Sequence, residues 1–248
     1  MPTATADPLS PLLDLPGVAD GVHETRHRVD ALLNNRALRR RSPDVSAESS
    51  LRGAWAAAAL AGADVTLDDV RSGAAAADPL VQGALRSYAA IGGLADTWTK
   101  APRQVLARLH ALAAADLLEP DELGRPAPGT AERLDTLALV LEVTQAPAVV
   151  VAAVVHGEVL SLDAFAPVSG IVALAATRLT LIERGLDPKS LVDFERGHLD
   201  DPPGYAAALD DYRSGTAEGI GRWIVHVAGA VVAGVQDATA ICTAIERG

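Results

Sequence analysis

The chain has 248 residues and a formal net charge of −11; 49% of it is hydrophobic, yet only 3% is aromatic. The acidic balance speaks against a nucleic-acid surface and against attraction to an anionic membrane. The one cysteine, Cys242, excludes an internal disulfide and cysteine-paired metal sites.

With so few aromatics, the interior must be built from Ala, Val and Leu, a composition with high helix propensity. The period-2 alternation of half-buried strands is nearly absent. The expected fold is all-α.

Residues 1–15, with prolines at positions 2, 8 and 11, read as a flexible N-terminal tail, and 16–248 as one helical domain. The start has no charged stretch leading into an apolar one, so no secretory signal is expected. A first helix is expected over Asp20–Leu38, with Val22, Val29, Leu32 and Leu33 on one face. That face is expected to meet either the rest of the chain or a second copy, so a homodimer is one possible assembly. His23 and His27 stand one turn apart, but no further metal ligand is fixed by the sequence, and an exposed polar face is expected. Arg36 and Arg39–Arg41 read as the end of this helix, where cations suit the dipole. Pro43, inside Ser42–Ser46, reads as a break.

A second helix is expected over Ala47–Leu60, stopped by Gly62. Thr66-Leu67-Asp68-Asp69 reads as a capping box. Asp78-Pro79 opens a helix to about Leu94, and Ala101-Pro102 opens another. In the latter, Val105, Leu106, Leu109, Leu112 and Ala113 share an apolar face, and His110, off that stripe, is expected in solvent. Glu119–Gly129, with three prolines, is the clearest loop. Thr130 is expected to cap the next helix, which carries Leu134, Leu137 and Leu141.

From Pro147 to Leu162 the chain is almost wholly apolar. A kinked connection, Asp163–Gly170, leads into a second apolar segment ending at Gly185. These read as two core helices joined by a tight loop at the N-terminal end of the second. Such an end exposes unpaired N–H groups suited to an anion, with Gly170 the candidate there. Asp187-Pro188 marks a turn and Asp200–Gly204 another break. A short helix over Tyr205–Tyr212 and a long last one from Thr216 through Trp223 to Ile245 complete the reading. The apolar runs Ala146–Val155 and Val227–Val235 are shorter than the ~20 residues of a spanning helix; a soluble, cytoplasmic protein with no membrane and no nucleic-acid partner is expected. No phosphate loop, dinucleotide fingerprint or zinc-protease motif occurs.

His156 is followed seven residues later by Asp163-Ala164-Phe165-Ala166-Pro167-Val168-Ser169-Gly170-Ile171. This resembles the Fic family (Fic/Doc, the Fido fold), in which a histidine stands seven residues before His-Pro-Phe-x-Asp/Glu-Gly-Asn-Gly-Arg at the start of a helix. Phe165 and Gly170 match the motif. The flanking HALAAADLLEPDELGRPAPG and RLTLIERGLDPKSL are similar in character to bacterial Fic-like proteins. The resemblance implies an all-α fold, and in the family an AMP transfer from Mg-ATP to a target hydroxyl.

Carried over by position, it implies losses. Asp163 stands where the family has its histidine base; an aspartate of ordinary pKa near 4 is a weak base. Pro167 stands at the metal-holding acid, Ser169 at the asparagine, and Ile171 and Leu174 at the two arginines. Ala61 stands where many members carry an inhibitory glutamate, whose arginine partner corresponds to Ile171. The degenerate candidates are thus Asp163 and Ser169, with neither a metal nor a cofactor expected. His156 reads as a core histidine bonded to a neighbour, against an acid/base paired with Glu158 or Asp163. The loop Glu119–Gly129 is either part of the family's target-docking flap or a connector. The leading expectation is a catalytically inactive Fic-fold protein that binds an unidentified protein partner or regulates. The alternatives are an enzyme with altered nucleotidyl- or phosphoryl-transfer chemistry in the same cleft, and an all-α interaction protein unrelated to Fic.

Overall fold

The computed structural model describes residues 6–247. A 3-10 turn (Ser10–Asp14) precedes eleven helices among the described residues: α1 (Val18–Leu33), α2 (Leu38–Leu60), α3 (Leu67–Ser72), α4 (Pro79–Trp98), α5 (Pro102–Ala113), α6 (Ala131–Val143), α7 (Ala148–Ser161), α8 (Ser169–Glu183), α9 (Phe194–Leu199), α10 (Pro202–Arg213) and α11 (Ala217–Arg247). No strand occurs among them. The fold is all-α.

The antiparallel pair α7–α8 lies at the centre. Its segments are apolar on every face, so neither has a side to offer to water, and each is covered all round. From Ile171 to Leu181 every residue of α8 is buried. Burying each Leu or Ile side chain contributes roughly 1.5–3 kcal/mol, which overrides the weak helix preference of the Val149-Val150-Val151 run in α7. α4 and α5 cover α8, and α6, α10 and α11 cover α7. The threonines of α8 are satisfied within the helix. Thr177 and Thr180 donate to Ala173 and Ala176 carbonyls, both at 2.8 Å, and Thr180 also accepts from Trp98 Nε1 at 3.0 Å.

Close helix approach depends on small residues. A Cβ added to Gly83 of α4 would sit 2.0 Å from the Ala113 carbonyl oxygen of α5. Because the obstacle is backbone, no side chain can swing aside. Gly83→Ala is expected to destabilise by roughly 1–3 kcal/mol or more, read as a lower urea midpoint; an unchanged midpoint would mean the two helices slide apart freely.

Several expected boundaries differ. α1 ends at Leu33, and Leu38 already begins α2, which runs through Pro43 without a break. Pro43 is exposed, so the Arg39 carbonyl that loses its N–H donor there can turn to water. Arg39–Arg41 therefore occupy the first turn of α2, where the dipole disfavours cations, and Arg41 pairs with Asp44 at 2.6 Å. Of the N-terminal stretch, residues 1–5 lie outside the described residues. From residue 6 the chain is docked rather than loose: Asp7 accepts hydrogen bonds from the Thr144 hydroxyl and the Gln145 amide, and Leu9 is buried. Thr130 donates to the Ala127 carbonyl instead of capping α6.

Other expectations hold. Gly62, at φ 107°, ends α2, and Thr66 with Asp69 forms the capping box of α3. The apolar face of α1 packs on α11, leaving Val29 and Leu32 buried within the chain itself; that face is not open to a second copy. His23 and His27 are exposed. α11 is long and apolar enough, by length and composition, to cross a membrane, and half of its most apolar stretch is buried in the protein.

Candidate functional site

The connection between α7 and α8 carries the motif positions. Asp163 leaves α7 at φ 46°, a left-handed conformation uncommon for a non-glycine residue. Its side chain is exposed and enters no hydrogen bond or ion pair among the described residues. Ala164 and Phe165 turn inward and are buried. The Ala164 carbonyl accepts the Ala127 N–H at 2.8 Å, fastening the proline-rich loop 114–130 to the motif segment.

Ser169 also points inward: it is 3% exposed, and its hydroxyl accepts the Phe165 N–H at 2.9 Å. It acts as a local staple that fixes the loop before α8. Gly170 is half-buried with open space where a side chain would be, and no side chain caps α8. Ile171 and Leu174, one turn apart, are both 0% exposed and belong to the hydrophobic core. Pro167 is exposed. The connection thus carries Asp163 at its start and Ser169 and Gly170 at its end. Only Asp163 presents a reactive group to solvent, and Ile171 and Leu174 present none.

His110 was expected in solvent and is 1% exposed. The loop 114–130 covers the second face of α5, so a residue off the apolar stripe is buried too. Its Nδ1 accepts the Gly124 N–H at 3.1 Å, its ring lies 5.4 Å from that of Phe165, and its Nε2 has no partner. Burial pushes its pKa down, with the Ala166 carbonyl pulling the other way. Next to it lies a cavity of about 330 Å³ lined by Asp121, Glu122, Arg125 and Ala166, at the seam between loop and motif segment.

Two further polar clusters escaped the sequence reading. The first is ionic. Arg178 of α8 donates to Glu195 of α9 from Nε (2.8 Å) and Nη2 (2.6 Å), and from Nη1 to the hydroxyls of Ser49 (3.2 Å) and Ser190 (3.0 Å). Tyr88 donates to Glu195 at 2.8 Å. Burial works against the Arg178 charge, but Glu195 outweighs it and raises the pKa. Asp193, buried with no partner on either oxygen, is pushed up by burial and by the Glu195 charge. Asp187 accepts the Leu191 and Val192 amides and shapes the turn into α9.

The second cluster is aromatic and lies between α7, α9, α10 and α11. His156 Nε2 shares a hydrogen bond with Tyr205 Oη at 2.7 Å, and His198 Nδ1 with His226 Nε2 at 3.1 Å. Trp223 packs edge-on against His156 and donates to the Ala153 carbonyl at 2.8 Å. His156 and His198 are fully buried. Burial, then the neighbouring imidazoles, lowers both, His156 to about 3. His156 is therefore the neutral core histidine of the first reading. Glu158 faces elsewhere, holding Arg133 at 2.7 Å and the Tyr212 hydroxyl at 2.6 Å. Among the described residues, no group of three or more His, Cys, Asp or Glu is disposed to hold a metal ion.

No protein-family model matches the sequence, and no curated protein is similar to it. Solved structures are similar in fold. One is a Fic family protein from Desulfovibrio desulfuricans G20, with a TM-score of 0.76 and 18% identity over 91% of this chain and 75% of that one. Another is Fic-1 from C. elegans, with a TM-score of 0.65 and 18% identity over 93% of this chain and 74% of that one. The chain has the fold of Fic proteins.

Proposed function

We propose that this Fic-fold chain does not transfer AMP and acts instead by binding a protein partner or regulating one. The observation that carries the reading is the state of Ile171 and Leu174. At the positions where the family's arginines would meet phosphate stand two aliphatic side chains, both wholly buried. Pro167 offers no ligand atom to Mg²⁺, and the Ser169 hydroxyl is engaged by the Phe165 amide. Each donor missing from a developing charge typically costs ~2.7–4 kcal/mol of transition-state stabilisation. The bare end of α8 supplies only ~0.3–1 kcal/mol of dipole interaction with an anion. A partner would meet the seam of loop 114–130 and the motif segment, where Arg125, Asp121 and Glu122 stand beside the cavity at His110.

Asp163, exposed and unpaired, favours the second reading, an altered transferase. A melt with Mg-ATP separates the two. Binding at about a hundred times Kd would add roughly 2.7 kcal/mol, a shift of roughly 5–11 °C for a chain of this size. The expected result is no shift. A shift of that size, abolished by Asp163→Asn, would establish the altered enzyme instead.

A further inference from the structure

Near the C-terminal end of α8 a cavity of about 380 Å³ opens between α2, α4 and the turn 184–193 that leads to α9. Ile182, which borders it, stands about 20 Å along α8 from Ser169. The cavity is therefore separate from the motif connection, and what it binds is independent of the function proposed above. Its volume falls within the ~300–1,000 Å³ of small-molecule pockets.

Part of the lining is apolar, with Ile91 and Ala95 of α4 and Ile182 of α8. The rest donates. Ser46 and Ser50 lie one turn apart on α2, and their hydroxyls enter no hydrogen bond among the described residues. Lys189 is exposed and has no ion-pair partner among those residues. Ser190 accepts Arg178 Nη1 at 3.0 Å. A cation on its lone pair turns the hydroxyl proton away, and that proton has no acceptor among the described residues. Tyr88 also borders the cavity, but its hydroxyl is spent on Glu195 at 2.8 Å.

No carboxylate lines this space. The acids near it in the chain are engaged elsewhere: Asp44 by Arg41, Glu48 by Arg52 and Arg71, and Glu183 by Arg184. Asp187 accepts the Leu191 and Val192 amides, and Glu195 is held by Arg178. Asp96, exposed on α4, stands outside the lining.

Donors with no charged acceptor among them select an anion. A carboxylate is best met by the planar fork of a guanidinium, which is absent from the lining. A compact ammonium with separate hydroxyls suits the three outer oxygens of a phosphate instead. The apolar part of the lining calls for a hydrocarbon body on that phosphate. We infer that this cavity binds a small phosphomonoester. Lys189, Ser46, Ser50 and Ser190 hold its phosphate, and Ile91 and Ile182 meet its apolar body.

Saturation-transfer NMR with phenyl phosphate tests this, with benzoate and inorganic phosphate as competitors. The expected result is transfer to the phenyl protons, with each competitor binding about tenfold more weakly than the ester. Lys189→Gln should weaken binding about tenfold, the loss expected of one charge-assisted hydrogen bond. Gly92 borders the cavity and has open space where a Cβ would stand. Gly92→Leu should therefore fill the cavity and abolish transfer, while its thermal melt stays no lower than the parent's. Absence of transfer at millimolar phenyl phosphate overturns the inference. So does competition by benzoate or inorganic phosphate at the ester's own affinity. Undiminished binding in folded Lys189→Gln or folded Gly92→Leu overturns it as well.

Discussion

Glu195→Ala is expected to lower the melting temperature by roughly 6–20 °C. The carboxylate it removes is the bidentate partner of Arg178, and the guanidinium left behind is 1% exposed with no route to water. Breaking one side of a buried pair typically costs ~3–5 kcal/mol, and a chain of this length loses roughly 2–4 °C per kcal/mol. The pair also ties α8 and α9 to α2 and α4 through Ser49 and Tyr88, so its loss loosens four helices together. Replacing both partners, Arg178→Met with Glu195→Leu, is expected to melt higher than either single variant, because no unpaired charge remains buried. If Glu195→Ala shifts the melt by less than about 2 °C, a smaller change than one lost kcal/mol predicts, water reaches Arg178 and the network is not sealed.

Stability is expected to fall as the pH drops from about 6.5, before carboxylates of ordinary pKa titrate. The folded state holds His156 at about 3 and His198 well below its ordinary value, while the unfolded chain takes up both protons near 6.5. A base whose folded pKa is depressed adds stability that is fully present above the unfolded pKa. That stability is lost as pH falls toward the folded value. Each such histidine contributes a slope of about 1.4 kcal/mol per pH unit in that window. With two of them the loss reaches about 5.5 kcal/mol by about pH 4.5, out of a total stability of roughly 5–15 kcal/mol. Asp193, pushed up to about 8 by burial, opposes part of it, because its folded carboxyl holds a proton that the unfolded chain lacks in this window. His226, also lowered by burial though Asp201 opposes the shift, adds to the trend. Urea titrations at stepped pH would measure the slope. His156→Gln should flatten it by about half of the two-histidine value; an unchanged slope would place the acid sensitivity elsewhere.

The central helix pair was legible because it needed no partner to be recognised. A run without a polar face, an interruption of seven or eight residues and a second such run can only be two covered helices. The motif spacing from His156 to Gly170 then pointed to the fold. The polar clusters were illegible for the opposite reason. Arg178 and Glu195 lie seventeen residues apart, and either one alone reads as a surface charge. The one signal was Arg178 itself, a charge inside a helix with no polar side. His198 and His226 likewise meet only when α9 lies along α11. His110 misled because helical periodicity reports one covered face, whereas α5 has two, the second beneath the loop 114–130. Pro43 misled because a proline that costs an exposed hydrogen bond need not end a helix.

The burial of Ile171 and Leu174 also bears on whether a cation could stand at either position. A single change to arginine at either position would carry a cation into the hydrophobic core, away from water. Arginine is also larger than either aliphatic side chain it would replace, so the close-packed neighbours on α4, α5 and α7 would have to move before the charge could reach solvent. Packing thus keeps these two positions aliphatic, and changes of chemistry are more accessible on the open surfaces of the fold than in this wall.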